Sequence, residues 1–292
     1  MKTDFALSEA PFYTIQGEGA TMGIPTIFIR FFGCNFQCRG FGLPKGEKSD
    51  EPERIAEMIK ANPLDFPDEK SIPLATTGCD SFISWHPAFR KYRKWYTPES
   101  VTAYCNGLCE VNREGAIRSP HIVFTGGEPM MHQKHIVNIV NEMLQYGYTH
   151  FTFETNGSLP LKVLLPPEGT YYFSVSPKMS DSGESIEEAL NPAAVASYAT
   201  MMRPEDKLWF KFVVSTEYDV REVKEWMDEY FVFFTKNHVP FPSQSVWLMP
   251  EGGQDDERFR TNTKHVAQLA MKYGLNYSDR LQVSLFKNSW GT

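Results

Sequence analysis

The chain lacks any run of about 18 apolar residues, so no membrane-spanning helix is expected. Cysteine is scarce, with five in 292 residues set as two pairs at x3 spacing and one single. That is no secreted disulfide framework, and reduced thiols available to a metal fit the pattern better. Positive charge is in deficit: 29 Lys and Arg against 36 Asp and Glu give a net charge of −7. This excludes a broad basic stripe for nucleic acid but leaves room for a small anion held by a few local cations. The opening MKTDFALSEAPF has no apolar signal region, and a cytoplasmic location is expected. No internal repeat or low-complexity tract breaks the chain.

What is present is bulk for a core, with 22 Phe and 13 Tyr in a chain that is 41% hydrophobic. A chain this long makes one large domain or two small ones, and α/β barrels commonly use it as one. Apolar runs at 26–32, 121–126, 149–155, 171–176, 209–215, 245–249 and 281–286 are strand candidates. Most are continuous rather than alternating, as parallel strands covered on both faces are. Helical patterns lie between them. Thr97-Pro98 is a helix start, Ile136, Ile139, Val140 and Met143 make one stripe ending before Gly147, and similar stripes run through DVREVKEWMDEYFVFF and HVAQLAMKYG. The expectation is an α/β fold, a partial (β/α) barrel of mostly parallel strands. Residues 1–292 are expected to form a single domain. Residues 40–77, rich in proline and charge with one helix-like piece (ERIAEMIK), are expected to be an inserted surface excursion.

Cys34 and Cys38 follow the first long apolar run, and the next cysteine is Cys79. Removing residues 40–77 would join Cys38-Arg39 to Gly78-Cys79 and give CNFQCRGCDS, a C-x3-C-x2-C cluster. Three thiolates can hold a [4Fe–4S] cluster and leave one iron open for another ligand, such as the amino and carboxylate groups of S-adenosylmethionine. The alternatives are ordinary buried cysteines or a partial zinc site. Cys105 and Cys109 share a helical face with Val101 and Leu108, which marks them as core. In HIVFTGGEPMM, Gly126, Gly127 and Glu128 sit where a strand ends, a place where parallel α/β folds build sites. Backbone carbonyls and a carboxylate there can receive an ammonium group; the alternative is a plain strand-to-helix turn.

The cysteines and the GGE together resemble the radical S-adenosylmethionine (radical SAM) superfamily. The stretch Gln16-Gly17-Glu18-Gly19 with Gly23, Arg30 and Gly33-Cys34 narrows the likeness to the 7-carboxy-7-deazaguanine synthase family. Cys79-Asp80-Ser81 with Trp85, TGGEP at 125–129, ETNG at 154–157, SVSPK at 174–178, KFVV at 211–214, LMPEG at 248–252 and RLQVSLF near the end extend it. The resemblance covers nearly the whole chain apart from the insertion.

It implies ring contraction of 6-carboxy-5,6,7,8-tetrahydropterin to 7-carboxy-7-deazaguanine with loss of ammonia, using S-adenosylmethionine, the cluster and Mg2+. Cys34, Cys38 and Cys79 would hold the cluster. Gln16 and Glu18 would read the pterin edge and Arg30 its carboxylate. Ser81 stands where the family usually has a threonine as Mg2+ ligand, and Asp80 could support that ion through water. Gly126, Gly127, Glu128, Glu154, Ser176 and Lys178 would hold S-adenosylmethionine. Arg280 also matches, without a role. A homodimer and a flavodoxin-like reductant are implied, with no direct nucleic-acid partner. Two other readings stay open: a glycyl-radical activase of the same superfamily, and a non-catalytic relative whose cluster loop the insertion has broken.

Overall fold

A computed structural model describes residues 4–112, 119–242, 245–252, 256–287 and 291. In chain order its elements are β1 (Phe5–Leu7), β2 (Phe12–Ile15), β3 (Pro25–Phe31), α1 (Glu51–Ala61), β4 (Lys94–Tyr96), α2 (Pro98–Asn112), β5 (His121–Gly126), α3 (Gln133–Leu144), β6 (His150–Thr155) and β7 (Thr170–Val175). There follow α4 (Ile186–Ala189), α5 (Pro192–Met201), β8 (Lys207–Val214), α6 (Glu217–Lys236), β9 (Val246–Pro250), α7 (Asp256–Tyr273), β10 (Asn276–Tyr277) and α8 (Leu281–Phe286). None of the described helices is long and apolar enough to cross a membrane.

The strands form one sheet in the order β10-β9-β8-β7-β6-β5-β3-β1-β4, with β2 also on β3. From β3 to β10 every neighbouring pair is parallel. Among the described residues, only β1, β2 and β4 run antiparallel. The expected parallel α/β architecture is present because the continuous apolar runs are covered on both faces: Ile27, Ile122, Phe124, Phe151, Phe153, Phe210 and Phe212 are buried on one face, and Val123, Thr152 and Trp209 on the other. The helix signals also do their work. Thr97 and Ser100 cap each other reciprocally at the start of α2, and the Ile136, Ile139, Val140 and Met143 stripe is the buried face of α3. Thr216 and Asp219 form a capping box on α6.

The sheet is open but curled, because the segment after β10 meets the loop after β2. Leu281 N donates to Gly17 O at 2.9 Å, and Gly19 N donates to Ser278 Oγ at 2.7 Å. These contacts join the loop before β3 to the segment after β10. They also overturn one expectation: residues 281–286 form helix α8, not a strand. Its neighbours explain the difference. The edge of β9 is already taken by β10, while Gly17 anchors Leu281, so LQVSLF has no strand to pair with.

The chain leaves the cysteine loop after Arg39 and returns at Gly78 with both ends in contact. Ser49 N donates to Arg39 O at 2.7 Å and Gly78 N to Phe41 O at 2.7 Å. A Cβ on Gly78 would lie 3.8 Å from the Arg39 Cα, so Cys38 and Cys79 stand on adjacent banks. The excursion is more than a surface loop. Ile55 and Ile59 of α1 bury themselves with Ile72, Ala75, Phe82, Ile83, Phe89 and Tyr92 in a second apolar cluster. Cys79 packs against this cluster and against the main core alike.

Candidate functional site

The carboxyl ends of the parallel strands open onto one cavity of about 290 Å³. Parallel α/β folds gather chemistry there because each strand end delivers a loop to the same mouth. Cys34 and Cys38 arrive from β3, and Cys79 from the far bank of the excursion; all three line the cavity. One carboxylate oxygen of Glu184 accepts the amides of Gln37 at 2.8 Å and Cys38 at 2.6 Å, which steadies Cys38 in its left-handed backbone, φ 49°.

Gly126 and Gly127 line the cavity too, but their lack of side chains serves the cysteine loop first. A Cβ on Gly127 would sit 2.0 Å from the Gly33 carbonyl oxygen. Gly127 N donates to Phe31 O at 3.0 Å and Glu128 N to Gly33 O at 2.8 Å, so the turn after β5 seats the loop after β3. Glu128 does not face the cavity. Its fully buried carboxylate accepts from Met130 N at 3.0 Å, Thr155 Oγ1 at 2.7 Å and Asn156 N at 2.8 Å, tying the ends of β5 and β6 together. Burial pushes its pKa up despite those donors.

Burial dominates the thiols. It raises Cys34 to about 12, helped by the charge of Glu128, and carries Cys38 well above the ordinary thiol range. Cys79 stands at about 11, raised by burial and Asp80 and opposed by the Trp85 indole and the Ser81 amide. Neutral thiols become good ligands only when a metal displaces their protons. Trp85 Nε1 is buried beside Cys79, a donor that sulfide or thiolate sulfur would satisfy. Among the described residues, no three Cys, His, Asp or Glu side chains gather tightly enough for a single metal ion. A four-iron cube holds its thiolates farther apart than one ion does.

Opposite the thiols lies a buried charge network. Glu18 pairs with Lys211, with Arg280 Nε at 3.3 Å, and accepts from Gln282 Nε2 at 2.7 Å. Burial alone would raise the Glu18 carboxyl, but Lys211 and Arg280 hold it at about 2. Lys211 lies 3.9 Å from Glu154, whose other oxygen accepts from Gln16 Nε2 at 2.9 Å. Gln16 Oε1 in turn accepts from Glu18 N at 3.1 Å. A Cβ at Gly17 would fall 1.7 Å from Gln282 Oε1 and would displace that amide.

Arg30 faces the cavity rather than solvent. Its Nε is 3.1 Å from the buried Glu9, and its Nη2 donates to Ser81 Oγ at 3.0 Å. Burial raises the Glu9 carboxyl although Arg30 opposes it. Asp80 is 2.9 Å from Arg280 Nη2 and 3.3 Å from the Ser81 hydroxyl. Lys178 Nζ donates to Ser176 O at 3.0 Å and to Ser176 Oγ at 3.2 Å.

The structure therefore brings Gln16, Glu18, Arg30, Cys34, Cys38, Cys79, Ser81, Gly126, Gly127, Glu154, Ser176 and Lys178 to one cavity, and leaves Glu128 behind its wall. Glu9, Lys211, Arg280 and Gln282 line it as well, without having been assigned roles from sequence. Lys211 carried a readable signal, a lysine inside the apolar strand KLWFKFVV. Glu9 carried none. Cys105 and Cys109 lie in the core, where Cys109 Sγ meets Tyr148 Oη at 3.2 Å.

A curled, largely parallel α/β sheet with a cysteine-lined mouth is the fold of the radical SAM class. The crystal structure of QueE from Escherichia coli shares it, with a TM-score of 0.52 over 94% of this chain and 93% of that one at 19% identity. No family model matches the chain. It is 26% identical over 290 residues to a 7-carboxy-7-deazaguanine synthase of Halobacterium salinarum, covering 95% of this chain and 89% of that protein. It is 28% identical over 276 residues to one of Hyperthermus butylicus, covering 93% and 89%. The chain is a homologue of the 7-carboxy-7-deazaguanine synthases.

Proposed function

We propose that the chain converts 6-carboxy-5,6,7,8-tetrahydropterin to 7-carboxy-7-deazaguanine with release of ammonia. The observation that carries this reading is the meeting of Cys34, Cys38 and Cys79 with Gln16, Glu18, Arg30 and Ser81 around one cavity, although the excursion separates Cys38 from Cys79 in sequence. Cys34, Cys38 and Cys79 would hold a [4Fe–4S] cluster. When bound, the cluster and S-adenosylmethionine supply the radical chemistry that starts the rearrangement.

The chain's own residues bind and orient. Lys211 and Arg280 keep Glu18 ionised, so it offers a charged acceptor to the N–H edge of a pterin, and Gln16 adds an amide beside it. Arg30 presents a planar donor pair for the substrate carboxylate. Its hydrogen bond to Ser81 places that hydroxyl at the same end, where Mg2+ would meet the carboxylate, with Asp80 near enough to support the ion through water. Gly126, Gly127, Glu154, Ser176 and Lys178 would hold S-adenosylmethionine, and Glu128 would act by seating the loop that contacts it. The same reading carries a single domain with residues 40–77 inserted, a homodimer, a flavodoxin-like reductant and a cytoplasmic location.

Anaerobic reconstitution should load about four irons per chain. Turnover with S-adenosylmethionine, Mg2+, a chemical reductant and the carboxypterin should yield the deazaguanine chromophore and ammonia. Cofactor cleavage without that product would support a glycyl-radical activase instead. Failure to load iron would support a non-catalytic relative.

A further inference from the structure

The roles assigned above leave the inserted segment without one, yet it reaches the cavity twice. Phe41 lines it on the way out, and Leu74, Ala75 and Thr76 line it on the way back. One carboxylate takes three of the hydrogen bonds that hold the returning stretch. Glu51 Oε2 accepts from Thr76 N at 2.5 Å and Thr77 N at 3.0 Å, and Oε1 accepts from Thr76 Oγ1 at 2.7 Å. Thr77 is held from its other side by Ser49 Oγ, 2.8 Å from Thr77 Oγ1 and 3.2 Å from the Thr77 carbonyl oxygen.

Glu51 is itself fixed. It opens α1, whose Ile55 and Ile59 are locked into the second apolar cluster with Ala75. Arg39, next to Cys38, ties the outgoing bank to the same helix through Ser49 O at 2.9 Å and Glu53 at 3.1 Å. A segment that merely tolerated insertion would need only closed ends, because loop closure costs little more for a longer loop. Here three charge-assisted hydrogen bonds press a short apolar stretch against the bank that carries Cys79.

We infer that residues 74–77 form a fixed wall that keeps water and reagents from Cys38 and Cys79, with Glu51 as the positioning residue that holds the wall in place. Leu74 and Ala75 are the screening side chains. This rests on the proposed cluster site for its purpose, but the screening of the two thiols belongs to the chain alone. Where a cluster is bound, solvent access is one of the protein's means of setting its potential and its survival.

The test uses the full-length, reduced, metal-free chain and a maleimide, with modification of each cysteine followed by mass spectrometry. Glu51→Ala should speed labelling of Cys79 and Cys38 by about fivefold or more, with Cys105 in the main core unchanged as an internal reference. Glu51→Gln, which keeps acceptor oxygen without charge, should fall between. In anaerobically loaded protein, air should bleach the cluster in the same order of variants. Labelling of Cys79 and Cys38 at the parent rate in folded Glu51→Ala would overturn the wall. Should Glu51→Ala fail to fold, Leu74→Ala leaves the clamp intact and should still speed Cys79 labelling; an unchanged rate there overturns the proposal equally. Failure of the parent to load iron would count against the cluster reading and leave the thiol result legible.

Discussion

Arg280 reaches Asp80 at 2.9 Å across the barrel mouth, tying the segment after the last strand to the residue that follows the third cavity cysteine. The same guanidinium meets Glu18 at 3.3 Å. One side chain thus joins three stretches that are far apart in sequence, and the cavity has its full outline only when all three are in place.

The two halves of that contact are unequal. The Glu18 side chain is 12% exposed and the Asp80 side chain 45%, so water screens the second pair far more than the first. Removing Arg280 strands part of a buried charge. Arg280→Ala should cost about 3 kcal/mol, whereas Asp80→Ala should cost about 1 kcal/mol or less. Urea unfolding of the two variants at neutral pH measures both. Equal costs would contradict the assignment of Glu18 as the buried partner.

Lys211 is the other support of Glu18. Lys211→Met should destabilise the chain by about 3 kcal/mol, because Glu154 loses its nearby cation and Glu18 one of its two. The double variant Lys211→Met with Glu18→Gln should be more stable than the sum of the two single losses predicts. The pH dependence has a definite sign. Glu18 is depressed from 4.5 to about 2 in the folded chain, so its contribution is fully present above 4.5 and is lost as pH falls towards 2. Acid unfolding of Glu18→Gln should accordingly be shallower across that window.

The two sets of cysteines should separate cleanly. Cys79→Ala should abolish cluster loading, since two thiolates remain at the cavity. Cys105→Ala should retain iron and lose only about 1 kcal/mol for a small buried sulfur. Iron content and unfolding free energy on the same preparations check both statements. Normal iron in Cys79→Ala would remove it from the ligand set.

Much of this was readable from sequence wherever one residue's surroundings dominate. Ile122, Val123 and Phe124 announce a parallel strand because both of its faces are buried. Thr97 announces a helix start because a cap is a local hydrogen bond. What was not readable depends on partners distant in the chain. LQVSLF alternates like a strand over six residues, and only Gly17 and the occupied edge of β9 make it a helix. The three-residue strands β1 and β4 carry too short a pattern to read. Gln16 and Glu18 were legible as cavity residues, but their engagement by Glu154, Lys211 and Gln282 was not. Gly126 and Gly127 suggested close ligand approach, while the nearest group to Gly127 is the carbonyl of Gly33 in the chain's own cysteine loop.

Asp181 adds a second pH signature, opposite in sign to that of Glu18. Burial first, and then the charges of Asp219, Glu251 and Glu222, raise its carboxyl from 3.8 to about 8, with only Lys178 opposing. Between those values the folded chain keeps a proton that the unfolded chain has released. Stability therefore falls as pH rises from about 4 to about 8, and the loss is complete above that window. Asn has nearly the same shape and no charge to bury. Asp181→Asn should therefore stabilise the chain by about 2 kcal/mol near pH 8, a figure kept below the full shift because the side chain is partly exposed, and by almost nothing near pH 4. Urea unfolding of parent and variant across that range gives the difference directly. A difference that stays flat with pH would show that Asp181 ionises in the folded chain much as it does when unfolded, and that its three acidic neighbours are screened from it.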